Sequence, residues 1–149
     1  MQIAVEEARA AGARGEVPVG CTIVCDEKVI ARAGNQTIAN RDPTAHAEML
    51  ALTAAEEAVG DWRLTDCTLY VTKEPCPMCA GACVHVRLAR VVFGANDSKA
   101  GAAGSALNLL QFPTLNHRCE ITSGVREPEC RNLLQTFFAV QRKRNDGGT

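Results

Sequence analysis

No stretch of this chain is apolar for long enough to cross a membrane. None approaches the roughly 20 residues of a helical span, although hydrophobic residues make up 46% of the sequence. The opening MQIAVEEARAAGARGEV carries acids and bases throughout and lacks the apolar core of a secretory leader. A cytoplasmic protein is expected. A charge imbalance is missing as well. The formal net charge is −1, so no global basic field advertises nucleic acid, and a nucleic-acid surface has to be a local patch. There is no repeat, no low-complexity segment and no internal linker. A length of 149 residues suits one domain spanning 1–149.

Cysteine, by contrast, is plentiful. The eight are Cys21, Cys25, Cys67, Cys76, Cys79, Cys83, Cys119 and Cys130. Without a secretion signal, metal binding, catalysis or plain burial explains them better than disulfides.

The pattern along the chain alternates helices and strands after an opening hairpin. IAVEEARAAGA at 3–13 reads as a helix and VGCTIVC at 19–25 as a buried strand. VIARAG at 29–34 is its hairpin partner. Residues 36–42 form a polar loop. Asp42-Pro43 reads as a helix start, with Asp as cap and Pro in the first turn, and Gly60 as the stop after Val59. TLYVT at 68–72 and RVVFG at 90–94 are strands, separated by a helix from Cys76 to His85. A short helix is expected near 105–111, a fifth strand at 119–122 and a last helix from Glu127 to Arg144, with RNDGGT as a frayed tail. Parallel strands need crossover helices, and the spacing supplies them. An α/β fold follows, with a mixed sheet and helices on both faces.

The chemistry concentrates in two stretches, EPCPMC at 74–79 and DPTAHAEML at 42–50. Cys76 and Cys79 lie three apart, on one face of a helix start. There, unpaired backbone N–H groups and the helix dipole favour thiolate. His46 lies in the first turn of another helix. Two helix starts at one sheet edge can converge on a metal with three protein ligands. Catalytic zinc sites hold three such ligands, keep one position for water and bring its pKa to about 7. Glu48 points away from His46 and suits a different task, moving a proton between that water and a substrate.

Other readings compete. A lone CxxC fits a redox pair, and a lone HxE is a weak signal. Together they match the H-x-E…P-C-x-x-C pattern of zinc deaminases. A closed structural Cys3His zinc would recruit Cys83. Positions 76 to 83 span about 10 Å along a helix axis, too far for a compact tetrahedron. Cys83 reads instead as core, as do Cys21, Cys25, Cys67, Cys119 and Cys130.

Beyond these motifs the chain resembles the bacterial tRNA-specific adenosine deaminase family, of the cytidine-deaminase-like superfamily. The resemblance is carried by EVPVG, DPTAHAEMLAL, WRLTDCTLYVT, EPCPMCAGA, RVVFGANDSKAGAAGS, NHRCEITSGV and LLQTFF. It implies a three-layer α/β/α fold around a mixed five-stranded sheet. It also implies a homodimer and zinc-dependent hydrolytic deamination of adenosine to inosine at the wobble position of a tRNA anticodon stem-loop. Carried over, His46, Cys76 and Cys79 bind one Zn2+, and Glu48 shuttles protons. Asn35 hydrogen-bonds the flipped base, while Asp97, Lys99, Asn116, Phe138 and Arg142 fall on the RNA-contacting surface.

Read without the resemblance, these residues have plainer roles. Asn35 ends a strand, Lys99 is solvated, Phe137 and Phe138 are core, and Arg142 with Lys143 and Arg144 complements a helix C-terminus. Two positions depart from the family: Lys73 stands where an uncharged strand residue is expected, and Cys83 where a larger apolar one is. A free-base or nucleoside deaminase shares the metal chemistry and differs only in pocket and surface. A zinc-stabilised binding module without catalysis is the third reading, which substitution of Glu48 separates from the others.

Overall fold

The structure is a computed structural model and describes residues 1–148. Five strands form one sheet in the order β2-β1-β3-β4-β5. They are β1 (Gly20–Cys25), β2 (Lys28–Gly34), β3 (Cys67–Lys73), β4 (Arg90–Ala95) and β5 (Glu120–Thr122). β1 pairs antiparallel with β2 and β3, while β3, β4 and β5 run parallel. The hairpin turn puts Asp26 and Glu27 at positive φ, so two residues suffice to reverse the chain.

The strand alternation separates two faces. Cys21, Ile23, Leu69, Val71, Val91 and Phe93 point to one side. There they meet Ala47, Ala51, Leu52 and Ala55 of α3 (Ala47–Val59) and Ala80, Cys83 and Val84 of α4 (Pro77–His85). The other side receives α1 (Gln2–Ala13) and α5 (Glu127–Asp146), where Val5, Ala95 and Cys130 form a smaller core with Leu133 and Leu134. This is the expected three-layer α/β/α arrangement of the cytidine-deaminase-like fold. Two glycines allow the close packing of the second face. A Cβ on Gly20 would lie 1.9 Å from the Ala4 carbonyl of α1, and one on Gly94 would lie 2.5 Å from the Cys130 sulfur of α5. Only a residue without a side chain fits either place.

Several boundaries differ from the sequence reading. The helix expected from Asp42-Pro43 begins only at Ala47. Asp42 instead turns on itself, its Oδ1 accepting from the Thr44 amide and hydroxyl, a local bond that competes with helix. His46 is therefore the residue that caps α3, and Cys76 caps α4. The polar loop holds one helical turn, α2 (Thr37–Asn40). The helix expected near 105–111 is absent; those residues form turns around an isolated bridge between Ala103 and Asn108. α5 runs on to Asp146 through part of the expected tail, and Thr149 of that tail lies outside the described residues. Among the described residues, no helix is long and apolar enough to cross a membrane.

Candidate active site

Both candidate ligand stretches enter the site the same way. His46 (φ −72°, ψ 152°) and Cys76 (φ −72°, ψ 172°) have extended backbones, and each carbonyl accepts the first bond of its helix, from Leu50 and Ala80. Pro77 follows in the first turn, where its missing N–H costs nothing. The side chains thus project from two helix N-termini beside the carboxyl ends of β3 and β4, where open α/β sheets place their ligands.

The three ligand atoms of His46, Cys76 and Cys79 lie within 4.8 Å of one another. His46 Nδ1 is 3.6 Å from the Cys76 sulfur and 3.5 Å from that of Cys79. A tetrahedral zinc, with bonds of about 2.0–2.1 Å to nitrogen and about 2.3 Å to sulfur, separates those atoms by about 3.6 Å. The donor set and its spacing fit a metal ion. Cys83 is wholly buried in the main core with Ala80 and Val84 around it, so the closed Cys3His reading gains no support.

One of the two sulfurs, that of Cys76, is prepared for a cation. A hydrogen bond from the Cys79 thiol brings Cys76 down to about 4, against the effect of burial, with further help from His46. The same bond pushes Cys79 up, and burial and Glu48 add to it. His46 is raised by its hydrogen bond with Cys76, which outweighs its burial. Glu48, 4% exposed in the first turn of α3, is raised by desolvation, which its own backbone N–H and the charge of His46 only partly offset. A carboxyl held above its ordinary value is suited to exchanging protons near neutrality.

In front of these groups opens a cavity of about 330 Å³, walled by His46, Glu48, Cys76, Asn35, Lys73 and Phe138 among others. That is at the small end of the ligand-pocket range of about 300–1,000 Å³. Asn35 is buried, with 8% exposure; its amide donates to the Val19 carbonyl, and the residue faces the cavity. Phe138 is not core: it is 43% exposed and stands between this cavity and a second one of about 230 Å³, which Arg142 lines. Phe137 is only half-buried, edge-on to Phe138. Asp97 faces the loop: its Oδ1 accepts from the Lys99 and Ala100 amides, and its Oδ2 pairs with Lys73 at 3.1 Å. Lys99 and Asn116 are exposed and line neither cavity. Of the remaining cysteines, Cys21, Cys67, Cys119 and Cys130 are buried as expected, whereas Cys25 is only partly so.

Two residues of the site escaped the sequence reading. Glu74, 3% exposed, accepts from the amides of Asp97, Ala103 and Ser105 and from the Ser105 hydroxyl, and so ties the 97–105 loop to the end of β3. Glu16, 2% exposed, accepts from the amides of Ile38 and Ala39 and fixes α2 at the cavity wall. Each is a glutamate beside or near a proline at an element end, with no base at helical spacing; that is the one signal the sequence carries.

A His-Cys-Cys cluster that could hold a metal ion, a buried acid beside it and a cavity that fits a small ring system, set on this three-layer sheet, belong to a deaminase of the cytidine-deaminase-like class. Comparison with known proteins narrows this. The family model of the MafB19-like deaminases matches residues 1–142. The tRNA-specific adenosine deaminase of Bacillus subtilis is 49% identical over 144 residues, 97% of this chain and 89% of the relative. A solved structure from studies of A-to-I editing by tRNA:A34 deaminases at the wobble position superposes with a TM-score of 0.87 at 46% identity, over 90% of this chain and 97% of the other. A guanine deaminase from Bacillus subtilis is more distant, with a TM-score of 0.64 at 30% identity over 99% and 93% of the two chains. The chain belongs to the family of the tRNA-specific adenosine deaminases and matches the MafB19-like deaminase model.

Proposed function

We propose that this protein hydrolyses adenosine to inosine at the wobble position of tRNA, using one zinc ion held by His46, Cys76 and Cys79. The observation that carries the reading is the convergence of those three ligand atoms within 4.8 Å beside the buried Glu48, in a chain 49% identical to a tRNA-specific adenosine deaminase. When bound, the zinc supplies a water acidified to a pKa of about 7 as nucleophile for C6 of adenine.

The chain's own residues do the rest. The Glu48 carboxylate takes one proton of the attacking water and gives it to N1 of the ring; it then takes the second from the new C6 hydroxyl and delivers it to the departing N6 amine, leaving the C6 carbonyl. Water adds and ammonia leaves, so the atoms balance. Burial raises Glu48, which keeps it able both to accept and to return that proton. Asn35 orients the base at the cavity wall. Phe138 offers an exposed ring on which a neighbouring base can stack, and Arg142 beside it meets the backbone. The target base has to leave its stack to reach the zinc, and a single-stranded anticodon loop makes this inexpensive. Lys99 and Asn116 extend the RNA surface, and Asp97 contributes by holding the loop that carries Lys99.

One domain spanning 1–149 carries this activity in the cytoplasm, as a homodimer. Exposed Ile38, Trp62 and Phe112 give the surface apolar area for a partner, and light scattering after size exclusion reads the mass directly. The function is tested by incubating the purified protein with an unmodified tRNA bearing wobble A and reading that position by reverse transcription, where inosine appears as G. Conversion by the wild type and none by Glu48→Ala is the expected result. Ammonia released from a free base, with the tRNA untouched, would replace this reading by that of a free-base deaminase.

A further inference from the structure

Three carboxylates and one ammonium face the cavity. Glu16, Glu48 and Glu74 are the acids, and Lys73 is the only lysine or arginine in the lining. Glu16 and Glu74 direct their charge inward, to the amides of Ile38, Ala39, Asp97, Ala103 and Ser105. Lys73 is placed differently. It is the last residue of β3, the central strand of the sheet, it lines the cavity together with His46 and Cys76, and its side chain is 36% exposed. Its one ion pair among the described residues is with Asp97 Oδ2, at 3.1 Å. An ammonium carries three donors, so two remain for a ligand. Asp97 is itself locked by the Lys99 and Ala100 amides at 3.0 and 3.1 Å. It therefore acts as a bracket that aims Lys73 rather than as a floating counter-ion.

A nucleotide entering from an RNA strand brings a phosphodiester on each side of its base. Its approach to a cavity walled by three carboxylates is opposed by their charge, and a cation on that wall offsets the repulsion. We propose that Lys73 binds a backbone phosphate flanking the target nucleotide. It would thereby be a substrate-binding residue of this chain in addition to those that the family resemblance implies. The inference rests on the tRNA-deaminase reading above. Phosphate contacts position a strand and are salt-sensitive, whereas base contacts specify it. Lys73 therefore governs KM and its response to salt rather than the chemical step.

The test uses an anticodon stem-loop RNA with A at the wobble position, and the wild-type protein beside Lys73→Met and Lys73→Arg, each checked for metal content and melting temperature. Lys73→Met keeps the apolar stem and removes the charge. At low salt its KM is expected to rise about fivefold with kcat within about twofold. The slope of log KM against log salt is expected to fall by about 0.7, the value of one phosphate on a single strand. Lys73→Arg is expected to restore both. Replacing one flanking phosphate at a time by a neutral methylphosphonate is expected to erase the gap between wild type and Lys73→Met at one of the two positions, which identifies the contact. A Lys73→Met protein with wild-type KM and salt slope overturns the inference, as does a loss confined to kcat or a gap that survives at both phosphates. Absence of editing by the wild type would instead sink the tRNA reading itself.

Discussion

Glu74 and Glu48 line the same cavity and are exposed by only 3% and 4%, yet their oxygens are used in opposite ways. Glu74 accepts from three backbone amides and one hydroxyl. Its charge is spent on holding the 97–105 loop. Glu48 has no such ring of amides, and desolvation raises its pKa instead. The cysteines repeat the contrast within one helical segment. Cys76, at the start of α4, is brought down to about 4 by the hydrogen bond from Cys79. Cys83, fully buried two turns on, is pushed well up by desolvation. The glutamates share residue type and burial and differ in the donors around them, whereas the cysteines share only residue type, Cys76 being half-buried and Cys83 fully buried; donors and desolvation together set the charge each group can hold.

The sharpest way to break this comparison is to remove a ligand. Cys76→Ala is expected to lose the metal, read by atomic absorption, and to bring editing to background. Retention of a full complement of metal would show that Cys76 is no ligand. Next in size is Glu48→Ala, expected to keep one zinc per chain and to lose about 10²–10⁴-fold in kcat. Zinc loss on that change would make Glu48 structural, like Glu74. In the wild type, kcat/KM should rise with pH along a limb above the ordinary glutamate value of 4.5, because the base form is needed and burial delays its appearance. A limb at or below that value contradicts the assignment.

Glu74→Gln comes third. The amide nitrogen would face backbone donors, and the buried mismatch is expected to cost about 1–3 kcal/mol in a denaturant titration. Metal content should hold while KM rises. The smallest effect is expected from Cys83→Ala, about 1 kcal/mol of stability with metal and activity kept. Loss of metal on that change would revive the Cys3His reading and dissolve the contrast with Cys76.

Much of this site was legible beforehand because its chemistry is local. His46 with Glu48, and Cys76 with Cys79, stand out by their spacing and by the residues around them, and the structure brings His46, Cys76 and Cys79 together. Both pairs start helices in the structure, although the first helix begins four residues later than Asp42-Pro43 suggested. That shift arose because an Asp-Thr turn competes with a helix cap for the same amides, and the sequence does not say which wins. The expected helix near 105–111 failed for a related reason. The Ser105 amide at its start, and that of Ala103 just before it, bond to Glu74, some 30 positions away, and a distant acceptor leaves no periodic trace.

By itself, then, the sequence determined which His and Cys residues form the cluster that could hold a metal, the acid near them in the chain, the five strands with their main helices, and through its resemblance the deaminase family. Each depends on residue type at short range. The tertiary structure decided what Glu16, Glu74, Lys73 and Phe138 do. Two of these acids became anchors for loops, the lysine became the one cation on an acidic wall, and the aromatic was left at the mouth instead of the core. Those roles follow from which backbone amides and which open space each side chain meets, and such encounters exist only once the sheet has brought distant segments together.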